Sequence, residues 1–112
     1  PAPPFRQCRC RMTTLVRLSL AFPPSLEAAI TEVLIAAPEL PGFTLFNAEG
    51  HSSDFSSAST AERIRGRIDQ RVLWMIVEQG SHQQVLALLR ATIGATHVRW
   101  WLEPVLDMGH LA

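Results

Sequence analysis

The chain has 112 residues, enough for one domain with a modest core. Hydrophobic residues make up 47%, which places it among folded rather than disordered chains. Arginines and acids balance, ten of each with no lysine, and a net charge of zero argues against a general nucleic-acid binder.

Residues 1–12 carry neither a helical nor a strand period. They read as a disordered extension or an expression remnant, with Met12 a candidate natural start. The only cysteines, Cys8 and Cys10, lie in this segment. A Cys-x-Cys pair can contribute to a soft-metal site, although a structural zinc site wants four ligands and wider spacing. The domain proper is expected over residues 13–112. No apolar run approaches the roughly eighteen residues of a membrane span, and no secretory signal is visible. A cytoplasmic protein with no membrane insertion is expected.

Thr14–Phe22 reads as a first strand, with Leu15, Val16, Leu18 and Leu20 supplying apolar side chains, and Pro23-Pro24 ends it. Ser25 is expected to cap a helix that carries Glu27 in its first turn. Leu26, Ala29, Ile30, Val33 and Leu34 recur at helical spacing until Pro38 and Pro41-Gly42 close the helix. Phe43–Ala48 is the second predicted strand and Asp69–Glu78 the third. Between them runs Gly50-His51-Ser52-Ser53-Asp54-Phe55 and a further Ser- and Arg-rich stretch. About twenty residues without a core pattern are uncommon in a compact domain and are usually functional or disordered. This loop is expected to be mobile on its own and to recognise a partner. Ser81 is expected to cap a second helix with Val85, Leu88, Leu89 and Ile93 on its apolar stripe, and Gly94 stops it. Val98–Val105 is the fourth strand.

The order β-α-β-β-α-β predicts an α+β, ferredoxin-like sandwich, with both helices on one face of an antiparallel sheet. The third strand is apolar on both faces: Val72, Trp74 and Ile76 point one way and Leu73, Met75 and Val77 the other. The fourth places Trp100 and Leu102 on one face and Trp101 on the other. A sheet apolar on both faces implies a partner surface, most simply another copy of the chain.

With these elements in place, several stretches carry a family likeness. They are Leu20-Ala21-Phe22-Pro23-Pro24-Ser25-Leu26-Glu27, Pro41-Gly42-Phe43-Thr44, Gly50-His51, Arg65-Gly66-Arg67 and Trp100-Trp101-Leu102-Glu103-Pro104-Val105. In order and spacing, over residues 13–109, the chain resembles the PII signalling superfamily. More narrowly, it resembles the small PII-like family of unknown function encoded beside heavy-metal efflux pumps of the resistance-nodulation-division class. The resemblance implies a homotrimer whose sheets pack together. It also implies a regulator that senses a small ligand or ion and acts on a membrane efflux transporter.

Two ligand classes follow. In PII proteins ATP lies between subunits, helped by a glycine-rich loop before the last strand. Here that junction, Arg90-Ala91-Thr92-Ile93-Gly94-Ala95-Thr96-His97, has one glycine and no lysine, so the phosphate-loop signature is missing. Arg65, Arg67, Arg71, Arg90 and Arg99 could still contact phosphates of a nucleotide effector. The alternative is a divalent transition metal. Imidazole and carboxylate together suit zinc, copper, nickel or cobalt. The histidines are His51, His82, His97 and His110, with no HxH or HxxxH spacing, so a site must be assembled in three dimensions or between subunits. The resemblance, with their loop and tail positions, favours His51 and His110, supported by Glu49 or Glu103. A passive metal binder like the divalent-cation tolerance family is the alternative reading.

Catalysis has little support. No Gly-x-Ser-x-Gly elbow occurs, and neither cysteine lies in the patterned region. A small ferredoxin-like enzyme is the weakest of the three readings. The tryptophan pair reads as interface packing rather than a ligand platform.

Overall fold

The computed structural model describes residues 14–51, 68–94 and 97–111. The expectations for residues 1–12, with Cys8 and Cys10, fall outside these residues. So do those for Ser52, Ser53, Asp54, Phe55, Arg65 and Arg67. Among the described residues, four strands and two α-helices follow one another as β1 (Leu15–Phe22), α1 (Glu27–Ile35), β2 (Thr44–Gly50), β3 (Ile68–Glu78), α2 (His82–Ile93) and β4 (Arg99–Val105). The strands form one antiparallel sheet in the order β2-β3-β1-β4, which is the ferredoxin-like arrangement.

Alternation along the strands divides the sheet into two faces. Val16, Leu18, Leu20 and Phe22 of β1 and Leu73, Met75 and Val77 of β3 are buried beneath the helices. Ile30 and Leu34 of α1 close this core from one side, and Val85, Leu86 and Leu89 of α2 from the other. Each such side chain taken fully from water contributes roughly 1.5–3 kcal/mol, so this layer holds the fold.

Two caps differ from expectation. Pro23-Pro24 enters a single 3₁₀ turn, Pro24–Leu26, in which the Leu26 amide donates to the Pro23 carbonyl at 3.0 Å. Ser25 therefore lies inside a turn and caps nothing; α1 begins one residue after Leu26 without a side-chain cap. Ser81 does occupy the N-cap position of α2, but its backbone is already helical (φ −68°, ψ −19°) and its hydroxyl makes no capping bond. A capping hydroxyl reaches the helix amides from an extended backbone, which Ser81 lacks.

Gly80 makes the turn between β3 and α2 at φ +98°, and Gly94 ends α2 at φ +79°. These are the left-handed conformations that glycine adopts without steric cost. His97, just before β4, takes φ +62° without being glycine. Among the described residues, no helix is long and apolar enough to cross a membrane.

Candidate functional site

The face of the sheet away from the helices is built in cross-strand rows. In one row Thr44, Trp74, Ser19 and Trp101 lie side by side across β2, β3, β1 and β4. In the row beside it Ile76, Arg17 and Glu103 are neighbours, and on the other side Phe46, Val72, Ala21 and Arg99. Ser19 and Ala21 are buried although no helix covers them, because larger side chains on the flanking strands enclose them. Phe46 and Trp101 stay substantially exposed. Charged groups are threaded through this apolar surface. The Arg17 guanidinium lies 5.4 Å from the Trp74 ring centre, and that of Arg99 lies 6.0 Å from Trp101. Both are cation–π contacts in range and kind. The two-sided apolar character read from β3 is present, with a polar thread of Arg17, Glu103 and Arg99 added.

The residues expected to bind metal are dispersed. Glu49 and His51 are close, with 3.5 Å between Oε2 and Nε2, at the end of β2. Glu103 is bonded to Arg17 on the open face, at 2.6 Å from Nη2. His110 follows β4 at the opposite end of the sheet. Gly50 pairs with Ile68 at the start of β3, whereas Val105 pairs with Leu15, which in turn pairs with Glu78 at the end of β3. At about 3.3 Å per strand residue these ends lie roughly 30 Å apart, too far for a tail of five residues to close. Accordingly, no group of three His, Cys, Asp or Glu side chains gathers among the described residues.

The arginines are dispersed too. Arg71 points to the helix face, where its Nε donates to Glu27 of α1 at 2.7 Å. Arg99 belongs to the open face. Arg90 sits in the last turn of α2, exposed, and no side chain among the described residues partners its guanidinium. Gly50 lies against Gln70, whose amide would be 2.9 Å from a Cβ placed there.

One feature went unread in the sequence. His82 is 7% exposed, packed with its ring centre 5.9 Å from that of Trp100 at a 40° tilt. Its Nε2 is 3.3 Å from the Gln83 amide nitrogen, while its Nδ1 is buried with no hydrogen-bond partner among the described residues. The signal was present, since His82 stands four and seven residues before Leu86 and Leu89 on the buried stripe of α2. Beside this pair, between α2 and β4, a cleft of about 190 Å³ opens with Trp100 and Arg90 in its walls. A second groove of about 300 Å³ lies at the other end of α2, where Glu39, Glu78, Ser81 and Gln84 meet Leu15, Leu40 and Val85.

The strand order and the two helices on one face define a ferredoxin-like α+β domain, and PII proteins share this fold. A crystal structure of the PII protein of Arabidopsis thaliana bound to citrate has this fold, at 10% identity and TM-score 0.65, covering 88% of this chain and 84% of that one. So does a nitrogen regulatory PII-like protein from Thiomonas intermedia K12, bound to ADP, AMP and bicarbonate. It is 14% identical, with TM-score 0.62 and 88% and 97% of the two chains covered. Within this class the chain belongs to the DUF3240 family, proteins of unknown function, whose model matches residues 12–112. The crystal structure of a DUF3240 family protein from Shewanella baltica OS155 is similar over 90% of this chain and 100% of that one, with 22% identity and TM-score 0.71. No curated protein matches the sequence.

Proposed function

We propose that this chain is a homotrimeric PII-like regulator that senses a small effector and modulates a heavy-metal efflux transporter. It binds rather than catalyses. The observation that supports assembly is the open sheet face, where Trp74 and Trp101 flank Ser19 with Ile76, Val72 and Phe46 around them. Trp101 is 38% exposed and Trp74 half-buried in a single copy, so covering this face removes the apolar area they still show to water, at about 25 cal/mol per Å². Arg17, Arg99 and Glu103 put both charge signs on one surface, so copies of the same surface can complement each other. The effector reading draws on the citrate bound to one fold neighbour and the ADP, AMP and bicarbonate bound to another. The transporter rests on the family resemblance, with the loop after Gly50 as the recognition segment. A metal ion is the second effector class, with Glu49 and His51, 3.5 Å apart, as candidate ligands.

Light scattering tests assembly, and thermal-shift titration with ADP, AMP, citrate, bicarbonate and divalent metals tests sensing, because a ligand selective for the native state raises apparent stability. A trimer mass and a saturable shift are expected. A well-folded monomer that no member of the panel stabilises overturns the reading.

A further inference from the structure

We infer that the cleft between α2 and β4 binds a small monocarboxylate with a ring-sized apolar body, seated on Trp100 with its carboxylate on Arg90. This deepens, and rests on, the effector-sensor reading above.

Size comes first. The cleft holds about 190 Å³. A cavity of about 150 Å³ admits a benzene ring, so there is room for one ring and a carboxylate but not for a whole nucleotide. Polarity comes second. Among the described residues the walls are Leu20, Leu86, Leu89, Ile93, Val98 and Trp100, and the single charged side chain is Arg90. None of these described residues is a carboxylate, so an ammonium ligand would find no counter-charge among them. The guanidinium, which no side chain among the described residues partners, presents a planar fork that matches a carboxylate with two parallel hydrogen bonds. The C-terminus of α2 carries about half a negative charge, which opposes an anion, but the full positive charge of Arg90 at the same end outweighs it.

The platform is held in place. Trp100 is 41% exposed, yet its indole rests against His82, a buried residue on the first turn of α2. The buried Nδ1 of His82 lacks a partner among the described residues, a desolvation cost that a leucine there would not carry. The imidazole supplies in exchange a flat polar ring that fixes the indole at the mouth of an apolar cleft. His82 is thus a positioning residue, and Trp100 and Arg90 are the binding residues.

Indole N–H resonances of ¹⁵N-labelled protein test this, with benzoate, benzylamine and acetate as probes and Trp100→Phe for assignment. Benzoate should shift the Trp100 indole signal saturably, while benzylamine (ring without anion) and acetate (anion without ring) should not. Arg90→Gln, at an exposed position that leaves the core intact, should weaken benzoate about tenfold or more, as expected for loss of a charge-assisted pair, and Arg90→Lys should weaken it less. Equal shifts with all three probes, or undiminished benzoate affinity in Arg90→Gln, overturn the assignment. If benzoate is silent while ADP, citrate or bicarbonate shifts signals elsewhere, this site is rejected and the sensor reading stands. If all are silent, both fall.

Discussion

Arg17 and Glu103, 86 positions apart in sequence, meet side by side on the open sheet face, where Nε and Nη2 of the arginine both donate to Oε1 of the glutamate at 2.9 and 2.6 Å. Their side chains are 40% and 42% exposed in a single copy. An ion pair that wet contributes about 0.2–1 kcal/mol. Covered by another copy, the same pair is desolvated, and removing one partner then leaves an uncompensated charge, with a cost of about 3–5 kcal/mol. A double-mutant cycle with Arg17→Met and Glu103→Gln, read from urea unfolding, therefore reports on assembly. A coupling above about 1.5 kcal/mol is expected, and a coupling within the exposed-pair range would mean that this face stays wet.

Trp74→Glu and Trp101→Glu should each convert the assembly to monomer, because each replaces a large apolar contact surface with a carboxylate that must be desolvated and removes the ring under Arg17 or Arg99. Trp74→Phe keeps the apolar surface and should leave the mass unchanged. Light scattering across a dilution series decides this. A trimer mass for both glutamate variants would move the interface elsewhere.

Gly80→Ala should destabilise the domain by about 1–2 kcal/mol, since φ +98° is a conformation in which a side chain is strained. No atom lies within 4 Å of the added Cβ, so the whole effect comes from the backbone. Gly42→Ala, equally uncrowded and without a positive φ, is the control and should be neutral or slightly stabilising. Chemical denaturation of the pair separates backbone strain from crowding.

Phe22→Ala should cost about 3–5 kcal/mol, because Phe22 is fully buried and its removal leaves a cavity in a close-packed layer. Against a typical total of about 5–15 kcal/mol, the variant should be partly unfolded or melt far below the wild type in circular dichroism.

If a transition metal binds at the end of β2, His51→Ala and Glu49→Gln should each weaken zinc or nickel in calorimetry, while His110→Ala should not within a single copy. Equal loss in His51→Ala and His110→Ala would instead show a site shared between copies, bringing together sheet ends that the chain itself holds apart.

The order of elements, the two core stripes and the two-sided apolar strand were legible along the chain. Leu73, Met75 and Val77 alternate with Val72, Trp74 and Ile76, and that spacing is local: neighbours along the chain dictate which side of a strand each residue takes. Charge partnerships and the cleft were not legible in this way. The ion pairs of Glu103 with Arg17 and of Arg71 with Glu27 carry no local signal in the chain. The capping role read for Ser25 gave way to a turn imposed by Pro23-Pro24. His82 looked like a helix-start histidine and lies buried against Trp100, on the far edge strand. These outcomes depend on cross-strand register and on where a helix crosses the sheet. Both are set by the packing of the whole layer at once, so residues 44 or 86 positions apart become neighbours only when the tertiary structure closes.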